Sequence, residues 1–485
     1  MLPIDRSAHR PLVEQVYDGV RTAIESETIA AGARLPSTRE FAKQLGLTRF
    51  TVDDAYARLI SEGYLVARHG SGTYVAERVR VAPQQDVVEL DTDALGGLLS
   101  RWATRLPEQS PVPAPRRVEF DFQPGNPSLE EMPIGLWNRT LVREGRELDP
   151  LAYTYGDVAG LPRLREAIAG YVSRSRGVTC TPDQVVITTG VQQAMDLVFR
   201  LTVDPGDTVV IEEPGYPSVR AIARLADARL VPVPVDAEGL VVDRLPGPSL
   251  HPRLLYVTPS HQHPTGAILP LTRRIALLEW ACAARTIVLE DDYDSELRYD
   301  ARPVPALAAL ALAQPQAIPV IYMGTFSKVL FPALRLGYLV LPPALVGPMV
   351  AAKAATDRYA PAVSQATMAA FIEEGHFERH LVRMRRVYAS RHQAMVDALD
   401  RHFGVRAERV SSTASAGLSM LVRFDVGLDE AELVARAAAA GISLEGASRC
   451  YTTPPSPPQL VIGYAMLPEE RIEAGIARLA EVVLP

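Results

Sequence analysis

The sequence predicts a multidomain chain. A small N-terminal unit, mainly α with a β-hairpin, precedes a much larger α/β unit built on a mostly parallel sheet. Three observations predict this. Residues 1–77 carry three helical patterns and then two short strands around a glycine turn. From residue 119 onward, short apolar strands alternate with helical stretches, the pattern of a parallel sheet covered on both faces. Between them, residues 78–118 include "LPEQSPVPAPRR", a proline-rich run that reads as a semi-rigid linker.

The first helix is expected over residues 12–28, where Val13, Val16, Val20, Ala23 and Ile24 recur at helical spacing. In "LPSTREFAKQLG", Ser37 and Glu40 form a capping-box pattern and Gly46 closes the second helix. The third, "TRFTVDDAYARLISEG", has Thr48 as N-cap, Val52, Tyr56, Leu59 and Ile60 facing inward, and Gly63 as its stop. "YLVARHGSGTYVA" supplies the hairpin, with its turn at residues 68–72. Helix, helix, turn, helix and hairpin make the outline of a winged helix-turn-helix.

In such a unit the first turn of the third helix must present groups to phosphates and base edges, and Thr48, Arg49 and Thr51 are available there. Ser37, Thr38 and Arg39 open the second helix, where free amides and an arginine can hold a phosphate. His69 and Gly70 sit at the wing tip. Dimerisation through a solvated helical unit is the competing reading. The stretch from Leu35 to Val75 resembles the DNA-binding domain of GntR-type bacterial repressors, over about residues 10 to 76. That resemblance implies DNA contacts by Arg39, Thr48, Arg49, Thr51, His69 and Gly70. Phe50 stands where related domains often carry a small or polar residue. Asp53 and Asp54 would repel phosphate and are expected on the side of the helix turned away from DNA.

In the larger unit, "QVVITT", "TVVIEE", "RLLYVT", "TIVLED" and "PVIYMG" read as strands of the main sheet. "LSMLVRF" and "QLVIGYA" read as strands of a smaller C-terminal α/β subdomain. "ALGGLLSRWATRL" is an amphipathic piece expected to dock within the linker region. The charge of −7 excludes a protein basic all over, but not a local DNA-binding face. Three widely spaced cysteines permit neither a disulfide framework nor a zinc ribbon, which fits a reducing cytosol. The N-terminal stretch lacks the apolar core of a signal peptide, and no run approaches a membrane span, so a cytoplasmic location is expected.

Lysine is rare: Lys43, Lys328 and Lys353 are the only three among 50 basic residues. Arginine cannot lose its proton in a protein, whereas a desolvated lysine can, and a neutral amine is what a Schiff base with an aldehyde requires. By itself Lys328 reads first as a partly buried lysine with its tip in water. Its companions match what a pyridoxal phosphate site needs. Gly190, Val191 and Gln192 follow a strand and open a helix, where amides bind phosphate. Tyr216 offers a stacking face. Asp291 and Tyr293 end a buried strand and suit the ring nitrogen and ring oxygen. Thr325, Ser327 and Arg335 surround the lysine and would complete the phosphate cup. A solvated acidic turn or a magnesium site is the competing reading of "LEDDYDSE".

This ordered set resembles the fold type I aminotransferases, over residues 119–485. The resemblance implies the α/β fold type I of pyridoxal-phosphate-dependent transferases, with Lys328 carrying pyridoxal 5'-phosphate as a Schiff base, the internal aldimine. It also implies that Tyr155, in "YTYGDVAGLPRLREAIA", reaches the phosphate in the neighbouring subunit of a homodimer. A GntR-like head joined to such a domain is the arrangement of the MocR/GabR regulators. Two positions depart from the enzymes. "PSHQHPTG" places His263 where an asparagine near the ring oxygen is common, and His263 reads either as a cofactor contact or as a loop histidine. In "PPQLVIGYAML", Val461 stands where an arginine would clamp a substrate carboxylate, with Arg220, Arg358, Arg423 and Arg449 as possible replacements.

The expectation is therefore a PLP-dependent transcriptional regulator that binds a DNA operator and senses a small amine, an amino acid or the cofactor itself. A working aminotransferase carrying a DNA-binding domain is the alternative. No metal is expected: His376 and His380 lie one helical turn apart with no third ligand in view, which suits a surface helix better than a zinc site. "VPALAALALAQ" is expected to be a packed helix.

Overall fold

The computed structural model describes residues 4–6, 8, 10–77, 97–106, 118–299, 304–410 and 416–484. The chain divides into two compact units, Met1–Leu99 and Ser100–Pro485. The expected linker, 78–118, lies for the most part outside the described residues.

In the first unit, α1 (Leu12–Glu25) buries Val16, Tyr17, Val20 and Ile24. It ends short of residue 28, because Glu27 takes a left-handed backbone. Helix α2 (Thr38–Leu45) has the full capping box: Ser37 and Glu40 satisfy each other's backbone amides, and Gly46 ends the helix at φ 66°. Helix α3 (Arg49–Ser61) is capped by the Thr48 side chain, which accepts from the Thr51 amide. Val52, Tyr56 and Leu59 face the core, whereas Ile60 is exposed. Ala55, also buried, completes that face, and Ile60 falls on the flank. Strands β1 (Leu65–Arg68) and β2 (Gly72–Val75) pair antiparallel to form the wing.

The second unit opens with β3 (Phe120–Asp121), which pairs parallel with β14 (Ile442–Ser443) of the C-terminal subdomain. The chain then crosses to α4 (Ile134–Glu147) and α5 (Pro162–Arg176). Next come β4 (Val185–Thr188), α6 (Val191–Thr202), β5 (Thr208–Glu213), α7 (Pro217–Leu225), β6 (Arg229–Asp236) and β7 (Gly239–Leu240). They are followed by β8 (Leu254–Val257), α8 (Leu271–Ala284), β9 (Ile287–Asp292), α9 (Leu307–Leu312), β10 (Val320–Thr325) and β11 (Gly337–Val340). The eight strands from β4 to β11 lie in the order β4-β11-β10-β9-β8-β5-β6-β7. The central pairs β10–β9, β9–β8, β8–β5 and β5–β6 are parallel, while the pairs made by β11 and β7 are antiparallel. Five parallel strands need crossovers, and the helices that provide them cover both faces. Helices α6, α7 and α10 (Pro343–Thr356) pack on one face. On the other lie α4, α5, α8, α9, α11 (Ala362–Glu373) and the first half of α12 (His376–His402). Helix α9 is the packed aliphatic segment expected there, with Leu307, Ala308 and Ala311 buried.

The smaller subdomain is an antiparallel sheet in the order β12-β13-β16-β15, formed by β12 (Ala407–Arg409), β13 (Ser419–Phe424), β15 (Glu445–Gly446) and β16 (Gln459–Gly463). The second half of α12, α13 (Glu430–Ala439) and α14 (Glu469–Val483) cover one of its faces. Of the amphipathic piece, residues 97–106 are described. Arg105 donates to Asp227 at 2.5 Å and to the Leu225 carbonyl at the end of α7.

Candidate functional site

Strand β9 distributes its acids by alternation. Glu290 and Asp292 point to one face: Glu290 accepts the Leu307 and Ala308 amides at 2.8 and 2.9 Å, capping α9. Asp292 accepts from Arg176 at 2.6 Å and from the Tyr322 hydroxyl at 2.7 Å, all buried. Asp291 points the other way. Its Oδ2 accepts from Tyr256 at 2.6 Å, and its buried Oδ1 has no hydrogen-bond partner. Burial and the neighbouring Asp292 and Asp294 push its pKa up to about 7, against the pull of the Tyr256 hydroxyl and Lys328. Beyond the strand, Asp294 accepts from His261 Nδ1 at 2.8 Å, and the same nitrogen lies 3.2 Å from the Tyr293 hydroxyl. The stretch is thus no solvated acidic turn, and no cluster of metal ligands occurs among the described residues.

Lys328 follows the end of β10, half-buried, and its Nζ donates to the Gly125 carbonyl at 2.9 Å. Burial lowers its pKa, opposed by Asp294, Asp291 and Glu445. Lys353 shows the contrasting use of lysine. Its fully buried ammonium donates to the Arg358 carbonyl at 2.9 Å and to Asp357 at 3.1 Å, ending α10.

Of the residues expected to form a phosphate cup, Arg335 lies at the N-terminus of α6. Gly190 takes φ 104°, and a Cβ there would lie 3.2–3.3 Å from the Arg335 guanidinium, so Arg335 stands directly at this helix end beside Val191 and Gln192. Arg335 makes no side-chain hydrogen bond among the described residues, leaving its guanidinium available. Thr325 accepts the Ser327 amide at 3.1 Å on the same side of the lysine. Tyr216 meets His263 edge-on at 5.5 Å. His263 is held neutral, its pKa pushed down to about 3 by burial and by Lys328, and its Nε2 lies 3.7 Å from Cys450 Sγ. It is packed edge-on against Tyr216. Tyr155 lies apart from these groups on the surface, 80% exposed and stacked on Tyr359 at 5.6 Å.

Val461 is buried with Leu421 and Ala447, against Val410 and Tyr451. Of the four arginines proposed to replace a clamp, Arg220 is committed to Glu213, Thr452 and the Cys450 carbonyl. Arg423 pairs with Glu408 at 2.6 Å across β13 and β12. Arg358 is exposed, and Arg449 lies 3.9 Å from Glu445. Sequence reasoning missed Tyr256, His261, Asp294, Cys450, Glu445 and Gly125. Tyr256 was legible in part, since parallel pairing of "RLLYVT" with "TIVLED" brings a strand-end phenol close to the acid.

On the first unit, the Thr48 and Thr51 hydroxyls lie 2.8 Å apart, so both serve the cap as well as facing outward. Arg39 is exposed at the start of α2, and His69 and Gly70 form the exposed tip of the wing, with Gly70 at φ 72°. Arg49 pairs with Asp53 at 3.2 Å, one turn along. Asp53 therefore shares the face of Arg49 and is not turned away from it, because residues four apart on a helix are neighbours. Asp54 is exposed, and Phe50 is 78% exposed. The helix bearing His376 and His380 is not simply a surface helix: His380 is buried, with Nε2 2.9 Å from the Val329 carbonyl, and its pKa is pushed down to about 4.

A winged helix-turn-helix and a fold type I transferase domain, with a lysine and an aspartate at the ends of adjacent parallel strands, define a DNA-binding regulator with an aminotransferase-like body. Comparison with known proteins agrees. Residues 12–75 match the model described as "Bacterial regulatory proteins, gntR family", and residues 141–479 match "Aminotransferase class I and II". The chain is 37% identical over its whole length, and over 96% of the relative, to the "Probable rhizopine catabolism regulatory protein MocR" of Rhizobium meliloti. It is 32% identical to the "HTH-type pyridoxine biosynthesis transcriptional regulator PdxR" of Corynebacterium glutamicum, covering 82% of this chain and 81% of that one. Among solved structures, LysN, the alpha-aminoadipate aminotransferase of Thermus thermophilus in complex with N-(5'-phosphopyridoxyl)-L-leucine, matches with a TM-score of 0.72 and 31% identity. That match covers 80% of this chain and 98% of LysN. The chain belongs to the MocR-type transcriptional regulators, GntR-family proteins with an aminotransferase-like domain.

Proposed function

We propose that this regulator binds pyridoxal 5'-phosphate at Lys328 and senses an effector there, using the aminotransferase-like body to control operator binding. The observation that carries the reading is the unpartnered, buried Oδ1 of Asp291, set in one site with a lysine of lowered pKa and a free arginine at a helix N-terminus. A buried acceptor without a partner costs about 1–3 kcal/mol, and a protonated ring nitrogen would satisfy it. When bound, the cofactor supplies an aldehyde carbon that takes up primary amines. Burial shifts Lys328 toward the neutral amine, and the Gly125 carbonyl orients it. Arg335, the amides of Gly190, Val191 and Gln192, and the Thr325 and Ser327 hydroxyls would hold the phosphate. Tyr216 would flank the ring, Tyr293 would donate to the ring oxygen, and His263, uncharged, would lie beside it.

Arg39, Thr48, Arg49, Thr51, His69 and Gly70 form the operator-contacting set, with Arg49 exchanging Asp53 for phosphate or a base edge. Tyr155, exposed on a single chain beside exposed Leu151 and Tyr153, fits a homodimer in which it reaches the neighbouring site. Residues 1–77 act as the DNA-binding domain, 78–118 as the linker and 119–485 as the sensing domain. Among the described residues no helix is long and apolar enough to cross a membrane, in keeping with a cytoplasmic regulator. Turnover as an aminotransferase is disfavoured by Val461, which offers a carboxylate no partner.

Selection of genomic fragments by the full chain, with and without pyridoxal phosphate and a panel of amines, tests the reading. Enrichment of one sequence motif, altered in affinity by cofactor or amine, is expected. Fragment binding indifferent to both would contradict it.

A further inference from the structure

On the small sheet, a carboxylate whose charge acts on Lys328 lies opposite the position where a substrate clamp would carry a cation. Glu445 pairs with Val461 across β15 and β16, so the two side chains share a face of that sheet. The subdomain reaches the lysine through one short segment. The Gly463 amide donates to the Phe122 carbonyl, and the Gln123 side chain donates to Ser443 Oγ and the Leu444 carbonyl at 2.8 and 3.1 Å. Two residues later, the Gly125 carbonyl accepts from Lys328 Nζ at 2.9 Å. Glu445, next to Leu444, is thereby held close enough to Lys328 and Tyr216 for its charge to act on both. Its carboxylate makes no hydrogen bond among the described residues. Its ion pair, with Arg449 at 3.9 Å, is longer than a hydrogen bond, and Arg449 is 45% exposed.

The carboxylate is a quarter exposed and, among the described residues, is held only by that long ion pair, so it can accept from an incoming donor. Val461, packed among apolar side chains, leaves the opposite position without charge. Resting on the reading of Lys328 as the cofactor lysine, we propose that the effector is a carboxylate-free amine with a second cationic nitrogen, a diamine in its simplest form. One nitrogen is directed to Lys328 and the cofactor, and the other is held by Glu445.

The full chain, loaded with pyridoxal phosphate and confirmed to be so by its visible absorbance, is titrated with putrescine, cadaverine, butylamine, alanine and glutamate. Absorbance and affinity for a selected operator are read together. The diamines are expected to act at concentrations at least tenfold below butylamine, and the α-amino acids to have little effect. Glu445→Gln should erase the preference for diamine over monoamine, Arg449→Ala should preserve it, and Val461→Arg should bring in a response to glutamate. Equal potency of diamine and monoamine would overturn the assignment. So would glutamate acting below both, or an unchanged ratio in Glu445→Gln protein that still takes up cofactor. Failure of the wild-type chain to take up cofactor would instead overturn the reading of Lys328, and this proposal with it.

Discussion

Replacing Asp291 by asparagine should stabilise the empty chain and weaken its hold on the cofactor, two effects of opposite sign from one atom. The carboxyl is raised from 3.8 to about 7, chiefly by burial. Between those values the folded state holds a proton that the unfolded state has released. Stability therefore falls as pH rises through that window and stays low above it. Roughly three pH units at about 1.36 kcal/mol each give about 4 kcal/mol, an upper figure that structural relaxation and water entry reduce. Asparagine keeps an oxygen for the Tyr256 hydroxyl, now 2.6 Å from Asp291, and carries no charge to desolvate. Apo Asp291→Asn should melt higher than the apo wild type at pH 8 and nearly level with it at pH 4, if both remain folded there. Pyridoxal phosphate affinity should drop roughly 100-fold or more, since removing one partner of a buried charge pair costs about 3–5 kcal/mol. Thermal unfolding at the two pH values and an equilibrium absorbance titration read both effects. A variant destabilised at pH 8 that still binds cofactor as tightly as wild type would refute the reasoning.

Arg335→Ala should weaken pyridoxal phosphate binding at least tenfold and pyridoxal binding much less, as the proposed phosphate role of the guanidinium at Gly190 requires; competitive titration of the two separates them. Arg49→Ala should reduce operator affinity by about 1–3 kcal/mol in gel-shift or anisotropy assays without altering cofactor absorbance. Asp53→Ala should tighten binding at low salt by freeing Arg49 from its partner 3.2 Å away. Leu59→Ala, at a fully buried position, should destabilise the N-terminal unit by about 2–5 kcal/mol, read by thermal or denaturant unfolding.

The elements most legible in the sequence were those whose signals are local. The capping box at Ser37 and Glu40, the Thr48 cap and the Gly46 stop depend on residues three to ten apart, and each has the expected geometry. The central strands were legible because parallel strands buried on both faces read as apolar runs. Strand β11 was not, since "GYLV" follows the Arg335 turn immediately and its pairing with β4 joins segments 150 residues apart. Asp291 and Lys328 could be named from their strand ends. Their actual partners, Tyr256 and Gly125, come from segments 35 and 203 residues away, which no local pattern encodes. Asp53 was set apart from the groove on its charge alone, while helical spacing sets it beside Arg49. Glu445 lay in plain view as an ordinary surface-type residue until strand register placed it opposite Val461.

The most direct test of the account is operator affinity measured on wild type and Lys328→Ala, each with and without pyridoxal phosphate. The account predicts that cofactor, or cofactor with amine, changes wild-type affinity at least fivefold, and that Lys328→Ala binds the same operator with affinity indifferent to both. An unchanged response in Lys328→Ala would contradict the claim that this lysine couples the aminotransferase-like body to DNA.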